Sequence, residues 1–153
     1  MKRGKIIKSG ILIAIVIIAG GIGLYLFNMP HRDVQSTDAD FSVSSTEIVN
    51  EYLNNAGVAN EKYLSSDGDS KILVISGTVH KITEDFSGKQ VILLKELNDN
   101  AGVSCTFIDK IKEIEALPGK IIKVKGVIHA GASYDADMEL FQDVVLSDCT
   151  IIN

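Results

Sequence analysis

The chain has 153 residues, 46% of them hydrophobic and 23% charged, with a formal net charge of −5 and no tryptophan. That length suits one domain with an appendage and excludes a large multidomain enzyme. The aliphatic content excludes a disordered chain, and two cysteines exclude a disulfide-built scaffold.

The N-terminal stretch carries the first signal. Lys2, Arg3, Lys5 and Lys8 precede an uncharged run from Ser9 to Phe27. Within it Gly10–Phe27 is 18 residues with no polar face, a helix of roughly 27 Å, enough for a thin hydrocarbon core. A cleavable signal peptide is the rival. Ala19-Gly20-Gly21 is small enough to be cut, but Ile22–Phe27 continues apolar beyond it, so an uncleaved transmembrane anchor is the better reading. No cysteine precedes Cys105, which removes lipoprotein processing.

The flanks orient the span. The positive-inside rule places the N-terminus in the cytoplasm and residues 28–153 outside it. Those residues carry 11 basic and 20 acidic side chains, a net of −9. Gly10/Ala14 and Ala19/Gly23 have the small-xxx-small spacing of paired helices, with nothing further to support a homodimer. The expected domains are 1–27 (cytoplasmic tip and anchor), 28–43 (tether) and 44–153 (folded domain). The tether is polar, holds Pro30 and lacks periodicity.

Ser44-Ser45-Thr46-Glu47 is a capping box, and Ile48, Val49, Tyr52 and Leu53 form one helical stripe. Asn54–Gly57 ends this helix, a second short helical stretch covers Val58–Leu64, and Ser65–Ser70 is a loop. Strands are predicted at Lys71–Ile82, Gln90–Leu94, Val103–Phe107, Lys120–His129 and Phe141–Ile151, with a helix over Ile108–Leu117 stopped by Pro118-Gly119.

Two strands align without a gap: Lys71–His80 (KILVISGTVH) and Lys120–His129 (KIIKVKGVIH), with lysine, glycine and histidine in register. A glycine inside a strand marks a bulge or a barrel corner. The expected fold is therefore mainly β. It is a five-stranded Greek-key barrel of OB-fold order with a helix between strands 3 and 4, preceded by an N-terminal transmembrane helix and one or two short helices. A two-layer α+β sheet is the rival and would not need both glycines.

Several short motifs stand in the right order for a known family. They are His31-Arg32-Asp33-Val34, Ala39–Phe41, Ala59-Asn60-x-Lys62-Tyr63-Leu64, Ser76–Val79, Val103-x-Cys105-x-Phe107, Lys125-Gly126 and Asp143–Leu146 with Asp148-Cys149. On these the chain resembles the bacterial tRNA_anti-like OB-fold family of short membrane-anchored proteins of unknown role. The resemblance implies an OB barrel at the bacterial inner membrane. It implies no tRNA contact and brings no catalytic residues.

Candidate chemistry is sparse. Cys105 and Cys149 lie on strands that neighbour each other in such a barrel, so a disulfide is conceivable outside the cytoplasm. It would close about 45 residues and stabilise by about 3–4 kcal/mol. Two separate buried thiols are the alternative. No C-x-x-C spacing supports redox catalysis.

His80 and His129 would meet if their strands paired, but surface strand residues do so without function, and no metal or other cofactor is expected. Asp135, Asp137 and Glu139 lack the glycine and length of a calcium loop. No nucleophile elbow, phosphate loop or zinc-protease pattern occurs, so no enzyme is expected.

Phe86 and Tyr134 are the candidate ligand-stacking residues, although covering the barrel mouth is the preferred role for both. Oligonucleotide binding is the alternative that the fold invites. The net −9 and the acids Glu84, Asp85, Asp135, Asp137 and Glu139 in the adjoining loops argue against it. Lys120, Lys123 and Lys125 read as a solubilising strand face. The expectation is a membrane-tethered extracytoplasmic binding or scaffolding module for a protein, a glycan or a small ligand.

Overall fold

The computed structural model describes residues 18, 20–24, 34–64, 70–111 and 116–152. The chain forms two compact units, Met1–Asp33 and Val34–Asn153. In the first, Ile18 and Gly20–Leu24 are helical. The rest of the expected span 10–27, and tether residues 28–33 with His31, lie outside the described residues. Among the described residues no helix is long and apolar enough to cross a membrane.

The second unit opens with a short strand, β1 (Phe41–Ser44), and two helices, α1 (Ser45–Asn54) and α2 (Ala56–Tyr63). Seven strands follow: β2 (Ile72–Glu84), β3 (Gln90–Leu94), β4 (Val103–Phe107), β5 (Ile121–Ala130), β6 (Ser133–Asp135), β7 (Leu140–Gln142) and β8 (Val144–Ile152). β2, β3, β4, β8 and β5 pair in that order, and β5 returns to β2, which closes a five-stranded barrel. Within the barrel all pairs are antiparallel except β4 with β8. This is the OB-fold order, with β6 and β7 as a hairpin inserted before the last strand.

Alternation builds the core. Ile75 and Val79, Ile92 and Leu94, Val103, Cys105 and Phe107, Ile122 and Val124, and Val144 and Leu146 are all buried, as expected where successive side chains point to opposite faces of each strand. The aligned strands β2 and β5 do pair, and each glycine answers a close approach. At Gly77 a Cβ would stand 2.5 Å from Ser45 Oγ, where β2 leaves β5 and takes up β3. At Gly126 a Cβ would stand 2.6 Å from Cys149 Sγ, at a register shift between β5 and β8.

The capping box at α1 forms in both directions: Ser44 Oγ accepts from the Glu47 N–H, and Glu47 Oε2 accepts from the Ser44 N–H. The break between the helices is a single residue. Asn55 ends α1 and its side chain accepts from the Val58 N–H to start α2, so Ala56 and Gly57 belong to α2. α1 buries Ile48, Val49 and Tyr52. Thr46 Oγ1 donates to Asp99 Oδ2 at 2.6 Å in the β3–β4 loop, and the Tyr52 ring presses on Gly131 beyond β5. These contacts seat α1 across one end of the barrel.

Three expectations need correction. The tether does not extend to residue 43: Val34 is buried, the Asp40 N–H donates to the Ile72 carbonyl, and β1 adds in parallel to β2. The helix expected over Ile108–Leu117 is absent at both described ends, while residues 112–115 lie outside the described residues. The Ile108 N–H donates to the Cys149 carbonyl and the Ile111 N–H to Gln90 Oε1, which ties this segment to β8 and β3 in a non-helical course. The last strand is also divided. Asp143 leaves the ladder to accept the Gly102 N–H at 2.7 Å, so Leu140–Gln142 pairs with β6 instead.

Candidate functional site

OB barrels bind oligonucleotides and oligosaccharides across their second and third strands, here β3 and β4. Alternation turns Val91 and Leu93 outward opposite Thr106 and Ser104, all half-buried. β2 adds Thr83 and Lys81 beside them. This face has small and aliphatic side chains and no aromatic ring. Bases need a π-surface and a cationic groove, and Lys81 alone among these residues is charged.

The two sequence-predicted stacking residues lie at opposite ends of the barrel. Phe86 is at the tip of the β2–β3 turn, where Asp85 Oδ1 accepts from the Ser87 and Lys89 N–H groups. Its ring is fully exposed (114%), so it does not cover the barrel mouth. Tyr134 is on β6, past the end of β5 that pairs with the start of β2.

Tyr134 has a partner that sequence reasoning missed. Phe141 on β7 is directly opposite in register, with ring centroids 4.8 Å apart. With Met138 and Leu140 these rings make an apolar, solvent-exposed hairpin. Asp135 Oδ1 accepts from the Asp137 and Met138 N–H groups, and Glu139 takes a left-handed φ of 54°. Among the described residues no group of three side chains is placed to hold a metal ion. The available signal was the apolar run Met138–Phe141 interrupted by a glutamate, which reads as loop until the hairpin register is known.

His80 and His129 do not meet. The antiparallel register of β2 and β5 sends them to opposite ends of the pair, with His80 at a register shift. Instead His129 Nε2 sits 2.6 Å from Ser147 Oγ on β8. Asp148, with a left-handed φ of 52°, lies on the serine side, its Oδ2 3.4 Å from Ser147 Oγ. An acid that orients a catalytic imidazole must bond its other nitrogen. The pair therefore lacks the arrangement of a nucleophile relay.

Cys105 and Cys149 carry free thiols and both are buried. Their strands pair through Cys105–Leu146 and Phe107–Cys149, with a register shift between. Burial pushes the Cys149 thiol well up, and the neighbouring Cys105 pushes in the same direction. The thiol is protonated at neutral pH and is a poor nucleophile.

A tyrosine cluster completes the helical end. Tyr63 is edge-on to Phe41 and stacked near Tyr52, with Lys62 Nζ 4.7 Å from the Tyr63 ring centroid and 2.9 Å from Glu51 Oε1. Burial, then the Tyr63 and Glu51 charges, push the Tyr52 phenol up to about 12. Its hydroxyl is buried without a hydrogen-bond partner. The rings are packing elements of the cap, not an open site.

The chain matches no curated protein and no solved structure. The tRNA_anti-like family does match, over residues 1–143. That region takes in the hydrophobic stretch, both helices, four of the five barrel strands and the β6–β7 hairpin. With its closed barrel and its β4–β8 parallel pair, this chain belongs to the tRNA_anti-like OB-fold family.

Proposed function

We propose that the protein is a single-pass bacterial inner-membrane protein with its N-terminus in the cytoplasm. Residues 10–27 anchor it, and the barrel faces outward as a binding or scaffolding module without catalytic activity. The observation that carries the reading is the β6–β7 hairpin, where the tilted rings of Tyr134 and Phe141 pack together and stay exposed beside Met138 and Leu140. Exposed apolar clusters with a polar rim mark interaction sites, and Asp135, Asp137 and Glu139 supply the rim. An apolar, aromatic-bearing ridge of this kind suits a protein partner best, with a glycan or small ligand as the narrower options.

A photo-crosslinking residue at Phe141 in the full chain, in its native membrane, tests the proposal. A discrete adduct is expected there and not from Thr83 on the barrel wall. Equal crosslinking from both positions contradicts the hairpin as the site. Protease added to spheroplasts is expected to degrade the C-terminal domain, and its survival contradicts the orientation.

Oligonucleotide binding by β3 and β4 is the second reading, which rests on the fold alone. The absence of aromatic rings on that face and the net −9 of residues 28–153 weigh against it.

A further inference from the structure

We propose that the outward face of β2, β5 and β8 docks on anionic lipid headgroups of the membrane that holds the anchor. The inference rests on the anchored reading above and adds which side of the barrel meets the bilayer.

The face is unusual for so acidic a domain. Across the three strands Ser76, Lys123 and Ile152 form one row, and Val74, Lys125 and Thr150 the next. Ile121, opposite Thr78, is 72% exposed. No carboxylate occupies these rows, and Glu96 at the margin is hydrogen-bonded to the Thr78 hydroxyl at 2.6 Å. A groove of about 390 Å³ runs between Lys120, Ile121, Lys123 and Ile152. Lysines beside the exposed Ile121 and the half-buried Ile152 suit a headgroup layer, where ammonium groups meet phosphates and an aliphatic side chain enters the acyl boundary.

The path of the chain selects this occupant over a free polyanion. Val34 is buried, and Lys125 Nζ donates to the Gln35 carbonyl at 3.1 Å, so the chain enters the barrel unit beside this strand face. Only residues 28–33 separate Phe27 from Val34, a reach of at most about 25 Å when extended. A net-negative domain held that close to an anionic surface lowers its electrostatic energy by turning its lysine face toward it. The face offers no aromatic ring on which a base would stack.

The test uses the full chain in nanodiscs, with a fluorophore on Ile121→Cys or, as control, on Phe86→Cys, and a quencher carried by the lipid. Cys105 and Cys149 are buried and stay unlabelled. In discs with a third phosphatidylglycerol the probe at 121 should be quenched about threefold or more above its level in pure phosphatidylcholine, and the probe at 86 should not change. Lys120→Glu with Lys123→Glu should abolish the difference, as should high salt.

Equal quenching at 121 in both lipids, with the chain still resistant to alkaline extraction, overturns the docking face and leaves the anchor standing. Release of the chain by alkaline extraction overturns the anchor and the docking together. Protection of the probe by a single-stranded oligonucleotide in phosphatidylcholine discs, without an effect of phosphatidylglycerol, overturns lipid in favour of a nucleic acid.

Discussion

Substituting Gly77 with alanine tests how the helical cap and the barrel are joined. At an open strand position with ordinary backbone angles, Gly→Ala restricts the unfolded chain and stabilises by about 0.4–1 kcal/mol. At Gly77 the new Cβ would lie 2.5 Å from Ser45 Oγ, 2.9 Å from Ser45 Cβ and 3.2 Å from Leu94 Cβ. None of these is the loose end of a flexible side chain. Ser45 is buried in the first turn of α1, between the capping Ser44 and Thr46, which is bonded to Asp99, and Leu94 is core.

The start of α1 must therefore move by about 1 Å. Overpacking of this kind costs about 1–3 kcal/mol, and loosening the cap adds about 1 kcal/mol. The net expectation is a loss of about 2–3 kcal/mol, or a fall in Tm of roughly 8–12 °C for a domain this size. Thermal and urea unfolding of the full chain in detergent, followed by circular dichroism, reads it. Ser45→Gly removes both clashing atoms, so Gly77→Ala should cost about 1–2 kcal/mol less in that background. A Gly77→Ala variant that unfolds within about 0.5 kcal/mol of the parent, or costs the same with and without Ser45, would refute a tight junction between cap and barrel.

Further outcomes follow from the same geometry. Ser44→Ala removes the capping box and should cost about 1 kcal/mol in the same unfolding assay. Tyr52→Phe deletes a buried hydroxyl that has no partner and should be neutral or stabilising by up to about 1 kcal/mol at neutral pH. Because the Tyr52 phenol is held at about 12 against an ordinary 10.0, the unfolded chain releases this proton first as pH rises. Its contribution is intact below pH 10 and is lost between pH 10 and 12, so Tyr52→Phe should show a shallower decline across that window. Chain prepared with reductant should react with a thiol reagent only on unfolding, and then at two thiols, because Cys105 and Cys149 are both buried; rapid labelling of the folded protein would contradict this core. Single-stranded DNA or RNA should show no mobility shift with the chain even at low salt, and a salt-dependent shift would revive the oligonucleotide reading.

Local chemistry alone determined a good part of this molecule. The capping box at Ser44–Glu47 and the stripe Ile48–Tyr52 specify α1, because a helix start is written in residues three apart. Gln90–Leu94 and Val103–Phe107 specify β3 and β4 through short-range alternation and flanking turn residues. The parallel between the β2 and β5 sequences pointed to the barrel, because a glycine inside a strand needs a neighbour that comes too close for a side chain.

Tertiary structure decided what depends on register and on distant partners. Residues 108–111 run non-helically and donate to a β8 carbonyl and to Gln90, neither of which is a neighbour along the chain. Phe141 joined Tyr134 only once the hairpin set them opposite each other. His129 found Ser147 instead of His80 because antiparallel pairing sends matched ends of two strands in opposite directions. Lys123 and Lys125, plain alternating lysines in the sequence, became one face only when β2 and β8 brought serine, valine, threonine and isoleucine alongside.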